Sequence, residues 1–104
     1  PSSCQGLGVG TANDWRAQVG AGPLSAGGLG SCDWALHMAA TGDFSHGGAP
    51  EVIAMSSGGC GDAWSLWRNS APHYNIIIDG SYTVGDFQCA VAANGNAYMV
   101  GRLG

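Results

Sequence analysis

Residues 83–103, "TVGDFQCAVAANGNAYMVGRL", decide the fold, because here the period of the apolar residues changes to two on either side of a tight turn. A period of two is typical of β-strands that turn one face towards a core. The dipeptide Asn94-Gly95 between two such runs is the strongest short-range signal for a β-hairpin. The stretch therefore predicts two antiparallel strands.

Upstream of this hairpin the apolar spacing is helical. Residues 11–19 and 29–41 place apolar side chains three or four positions apart, which favours two amphipathic helices, the first with Thr11 as its N-cap. A Gly- and Ser-rich loop follows the second of them. Residues 63–70, "AWSLWRNS", predict a third helix that Asp62 caps and that ends before Pro72.

The order of these elements gives the fold class. Residues 73–80, "HYNIIIDG", predict only a short apolar segment entering a turn. Helices come first and the antiparallel sheet last, which indicates an α+β fold. A chain of 104 residues is long enough for one core, so we expect a single domain over residues 1–104.

The charge composition argues against some classes of binding partner. Six Asp and one Glu stand against three Arg, with no Lys, and the formal net charge is −4. The chain therefore has no basic stripe for nucleic-acid phosphates or anionic lipid headgroups. No apolar run approaches the roughly 20 residues that span a bilayer. We expect a small molecule, a lipid or a glycan as partner, and no nucleic acid.

The cysteines indicate the redox compartment. Cys4, Cys32, Cys60 and Cys89 show neither a CxxC pair nor the Cys/His spacing of zinc sites. An even number of cysteines without metal spacing favours disulfides and an oxidising environment. Four cysteines allow three connectivities, of which we predict Cys4–Cys32 and Cys60–Cys89. The chain is accordingly predicted to be secreted.

Residues 44–53, "FSHGGAPEVI", contain the most suggestive polar pair. They place His46, one of three histidines, five positions before Glu51, the only glutamate of the chain. Three interpretations fit this spacing: a ligand site, a proton-transfer pair, or a structural clamp that holds the loop over the core.

The order of several short motifs resembles the CAP superfamily, also called the SCP or PR-1-like family, in its short bacterial form. These motifs are "NDWR" ahead of "GPL", "WALHMAATGDFSH", "PEVI", "WRNSAPHYNI" and the closing "AYMVGRLG". The similarity runs from Asn13 to Gly104. It implies an α-β-α sandwich with a small antiparallel sheet and a cleft in which histidines and acidic residues converge.

The resemblance assigns four residues to that cleft. His46 matches the histidine after the second helix, and Glu51 matches the family's glutamate. Ser70 and His73 match the serine and histidine of a bacterial W-x-x-S-x-x-H element. Ser70 stands where longer relatives carry a second acidic residue, so the full metal-binding set of the animal members is incomplete.

Three functions fit these residues. The first is a secreted binding module for a lipid, a glycan or a divalent metal such as zinc, with His46, Glu51 and His73 as the metal ligands, since two imidazoles and a carboxylate are typical of open zinc sites. The second is a hydrolase, either metal-dependent or built on Ser70 and His73, although no G-x-S-x-G elbow is present. The third is a structural extracellular protein. No cofactor follows with certainty, and we expect binding rather than catalysis.

Overall fold

A computed structural model describes residues 3–104 and shows an α+β fold with four α-helices, a short 3-10 turn and a five-stranded sheet. In chain order the elements are β1 (Gln5–Gly6), α1 (Gly10–Gln18), β2 (Ser25–Ala26), α2 (Ser31–Thr41), β3 (Glu51–Ser56), the 3-10 turn (Cys60–Asp62), α3 (Ala63–Arg68), α4 (Ala71–Ile77), β4 (Val84–Val91) and β5 (Ala97–Leu103). Among residues 3–104, no helix has the length and apolar character needed to cross a membrane.

The predicted hairpin is the centre of the sheet. Strands β4 and β5 pair antiparallel around the turn, where the Gly95 N–H donates to the Ala92 carbonyl (2.9 Å). Strand β3 pairs antiparallel with the outer edge of β5. On the other side, β1 runs antiparallel and β2 parallel to β4, so two short strands share one edge.

Alternation along the strands divides the core into two layers. Val52, Phe87 and Met99 face one side of the sheet, where they pack with residues of α1, α3 and α4. Ile53 and Val100 face the other side, where they pack on α2. The sheet thus lies between helices on both faces, as in an α-β-α sandwich.

Two elements differ from the expectations. Strand β3 lies within the segment that the sequence predicted as a loop. The prediction failed because the first four residues of β3 are all buried and show no polar alternation. Helix α4 replaces the predicted apolar segment, and Pro72 lies in its first turn. Proline is tolerated there because the N–H groups of that turn have no helical partner.

Two helix caps also differ from the expectations. Helix α1 begins at Gly10 and carries no side-chain cap, so Thr11 does not cap it. Asp62 does not cap α3 with its side chain; its carboxylate instead accepts a hydrogen bond from the Ser56 hydroxyl.

Both predicted disulfides are present. Cys4–Cys32 ties the β1 region to α2, and Cys60–Cys89 ties the 3-10 turn to β4. Each closes a loop, and the two sequence separations are 28 and 29 residues.

Two polar residues of the "NDWR" motif hold the long connections in place. Asn13 exchanges two hydrogen bonds with the backbone of Leu24, at 3.0 and 2.7 Å, and so positions the chain entering β2. Arg16 is fully buried and donates to four backbone carbonyls, those of Gly22, Ile77, Asp79 and Tyr82. The motif therefore joins α1 to the loop before β2 and to the end of α4 with the segment that follows it.

Candidate functional site

Glu51 is the anchor of the candidate site. It is the first residue of β3, and its side chain is fully buried. One carboxylate oxygen, Oε2, accepts from Arg102 Nε at 2.8 Å. The other, Oε1, accepts from the Gly47 N–H at 3.0 Å and lies 2.9 Å from His46 Nδ1. A carboxylate with these partners is held in one position.

The strand register explains why Arg102 is available to Glu51. Glu51 of β3 lies opposite Arg102 of β5, which lies opposite Asp86 of β4. Three charged residues thus form a row across three strands. Arg102 is the site residue that sequence reasoning missed, because it lies 51 positions from Glu51 and only the register brings them together.

The start of α2 joins the same network. Asp86 Oδ2 accepts from the backbone N–H groups of Leu29 (2.8 Å) and Ser31 (3.1 Å), while the Leu29 carbonyl accepts from Arg102 Nη1 (3.2 Å). Gly30 has a left-handed φ of 86°, which lets the two N–H groups converge on one oxygen. A carboxylate here also stabilises the positive end of the helix dipole.

Trp34 holds the loop that carries His46. The Trp34 indole N–H donates to the Ser45 carbonyl at 2.8 Å. Gly47 lies against the face of the same indole, where a Cβ atom would overlap the ring. These contacts, with the Gly47 N–H bond to Glu51, fix the backbone on both sides of His46. The clamp interpretation of the His46/Glu51 pair is therefore part of what the structure shows.

The same contacts determine the tautomer of His46 in its neutral form. An ionised carboxylate only accepts hydrogen bonds, so the Nδ1 atom beside Glu51 carries the proton. The Nε2 atom then holds a lone pair. The His46 side chain is 56% exposed to solvent, so the ring can be reached by a ligand that donates a hydrogen bond.

His73 lies in α4, within electrostatic range of His46. Its partial burial lowers its pKa from the ordinary value, and the charge of a protonated His46 lowers that pKa further. His73 is therefore neutral near pH 7. Ser70 precedes the same helix, and none of the hydrogen bonds among residues 3–104 joins its hydroxyl to His46 or His73.

The predicted metal ligands do not form a metal site in this arrangement. Within residues 3–104, no group of three or more His, Cys, Asp or Glu side chains is placed to hold an ion. Both Glu51 oxygens are already engaged by Arg102, Gly47 and His46. Among residues 3–104, His46, Glu51 and His73 are therefore not found together as three potential ligands of one ion.

The lowered pKa of His73 predicts an acid-sensitive stability. As the pH falls below the ordinary histidine pKa of about 6.5, the unfolded chain takes up this proton before the folded protein does. Folding stability therefore declines from about pH 6.5 down to the folded-state pKa. Between about pH 7.5 and 5, we expect the melting temperature of the wild type to fall further than that of His73→Gln.

The matched control for this prediction is His37→Gln, because His37 is an exposed histidine stacked on Trp34. It should keep the pH dependence of the wild type. Melting curves that fall in parallel for the wild type and His73→Gln would contradict the assignment.

No family model matches the sequence, and a search of curated proteins finds no match.

Proposed function

We propose that this protein is a secreted domain of the CAP superfamily that binds a hydroxyl-rich ligand, a cell-envelope glycan, at the surface of His46, Glu51 and His73. The observation that carries the proposal is the fixed His46 ring. Its Nδ1 atom is held by Glu51, and most of its side chain is exposed to solvent. Sugar hydroxyls are donors for such an acceptor.

His73 adds a second imidazole within electrostatic range of the first. Its lowered pKa keeps His73 uncharged at neutral pH, so it both donates and accepts hydrogen bonds. An uncharged His73 and a mutually neutralised Glu51–Arg102 pair suit an uncharged polar ligand better than an ionic one. The rigid clamp under His46 also reduces the entropy that binding would cost.

The two disulfides support the extracellular part of the proposal. Disulfides persist in oxidising environments and are rare in reducing ones. The CAP assignment is supported by the quoted motifs, by the helices on both faces of the sheet and by the closeness of His46 to Glu51. Nothing in the hydrogen bonding of Ser70 supports a nucleophile, so we do not propose hydrolysis.

Cosedimentation with purified peptidoglycan sacculi tests the proposal. We expect the wild type to sediment with sacculi, and His46→Ala and His73→Ala to lose about tenfold or more in affinity, since each removes a hydrogen-bonding group from the ligand. His37→Ala, the matched control, should bind like the wild type.

The same experiment separates a metal from a glycan. Binding to sacculi should be unchanged by EDTA and by added zinc. Binding that EDTA abolishes and zinc restores would make the ion the true ligand and overturn the proposal. Equal binding by the wild type and both site variants would show that the imidazoles are not the binding surface.

A further inference from the structure

A cavity of about 340 Å³ lies at the edge of the sheet opposite β3. There the Leu7 N–H donates to the Phe87 carbonyl (2.9 Å) and the Gly27 N–H donates to the Gly85 carbonyl (3.2 Å). The chain segments that continue β1 and β2 thus reach the same edge of β4, and the cavity lies between them. Its volume is at the lower end of the roughly 300–1,000 Å³ typical of ligand pockets.

The wall of the cavity combines three kinds of surface. Much of it is glycine backbone, which leaves the space open. The other lining residues include the apolar Val9 and Phe87 and the polar Asp86 and Gln88. Among residues 3–104, Asp86 is the only charged residue that lines the cavity, so the cavity favours a ligand of positive charge.

Among residues 3–104, Asp86 has hydrogen-bond donors but no cationic side chain as an ion-pair partner. The residue is 7% exposed, and neither ion pair formed by residues 3–104 includes it. Its register neighbour Arg102 directs its guanidinium to Glu51 and Leu29 instead. Buried charges are usually paired because desolvation otherwise costs several kcal/mol.

One oxygen of Asp86 retains hydrogen-bonding capacity. Oδ2 accepts two backbone N–H groups, but Oδ1 accepts only the Gln88 side-chain amide, at 3.0 Å. A carboxylate oxygen has two lone pairs. One lone pair of Oδ1 is thus left for a donor that enters the cavity.

We propose that this cavity binds a small organic ammonium ion. Its N–H groups donate to Asp86 Oδ1 and supply a positive charge, while a short apolar chain packs on Val9. The net charge of −4 also favours the approach of cations. The cavity lies at the edge of the sheet opposite β3, although Asp86 and Glu51 belong to the same row of charged residues across β4, β5 and β3.

An NMR titration of ¹⁵N-labelled protein with n-butylammonium chloride tests the site. We expect saturable shifts of the backbone amides of Gly27, Gly28, Gly85 and Gln88. Sodium butyrate, which has the same chain length and the opposite charge, should leave these amides unmoved. Equal shifts with butyrate, or shifts that grow linearly without saturation, would overturn the proposal.

Two variants test the role of Asp86. Asp86→Asn keeps the shape of the side chain and removes its charge, and it should weaken n-butylammonium binding about tenfold or more. Asp33→Asn, on the exposed side of α2, is the matched control and should bind like the wild type. Undiminished binding by folded Asp86→Asn would contradict the proposal.

The second variant keeps the test decisive if Asp86→Asn does not fold. Gln88→Lys leaves the backbone bonds of Asp86 intact and places an ammonium group of the chain itself beside the carboxylate. This variant should fold, lose n-butylammonium binding and melt no lower than the wild type. A folded Gln88→Lys protein that still binds n-butylammonium would overturn the proposal.

Discussion

Replacing Arg16 with methionine is expected to lower the free energy of unfolding by about 3–5 kcal/mol. The guanidinium is completely buried and donates to the carbonyls of Gly22 (2.6 Å), Ile77 (2.9 Å), Asp79 (2.7 Å) and Tyr82 (2.8 Å). Methionine fills much of the same volume but donates nothing. Several acceptors would then lose their partner in a protected environment, which is costly.

The pKa of Arg16 reflects two opposing effects. Burial lowers this pKa from its ordinary value, and the negative charge of Asp79 partly opposes that shift. Arginine nevertheless keeps its proton in proteins. The charge therefore stays buried, and it is solvated mainly by the four carbonyl oxygens.

Urea unfolding followed by circular dichroism measures the effect. Arg68→Met is the matched control, because Arg68 is exposed and its guanidinium carbon lies 4.3 Å from the centre of the Tyr74 ring. Loss of that cation–π contact should cost only about 0.5–1 kcal/mol. Similar losses in the two variants would show that the four carbonyl contacts do not stabilise the fold.

Removing the Cys60–Cys89 disulfide by a double alanine substitution is expected to cost about 3.5 kcal/mol or more. A closed loop of this length accounts for roughly 3.5 kcal/mol on the chain-entropy estimate. Both cysteines are also buried in the core layer that contains Trp67 and Phe87. The substitution therefore leaves a small cavity in addition to releasing the loop.

The Cys4–Cys32 disulfide is the internal control. It closes a loop of almost the same length, so its entropic contribution is nearly equal, but Cys4 and Cys32 are only half-buried. We expect its removal to cost less than removal of Cys60–Cys89. Equal losses in the two double variants, measured by urea unfolding, would show that packing of the cysteines adds nothing to loop closure.

The sequence by itself determined the elements whose signals are local. Asn94-Gly95 and the alternation around it predicted β4 and β5, since turn chemistry and strand period are set within a few residues. Helical spacing predicted α2 for the same reason. The predicted disulfide pairs are also present, although the sequence alone allowed three connectivities. His46 and Glu51, five positions apart, are in contact, but the sequence left open whether they bind a ligand, transfer a proton or clamp the loop.

Tertiary structure alone decided the elements that depend on distant partners. Strand β3 has no alternating pattern because both of its faces are buried, so its apolar run did not distinguish a strand from a loop. Helix α4 is seven residues long, too short for propensity to establish it without packing.

The row of Glu51, Arg102 and Asp86 is the clearest case. These residues come from three strands and become neighbours only through the register of β3, β5 and β4. A shift of one residue in either pairing would turn a charged side chain to the opposite face. Packing of the two core layers selects that register, and no short segment of the sequence encodes it.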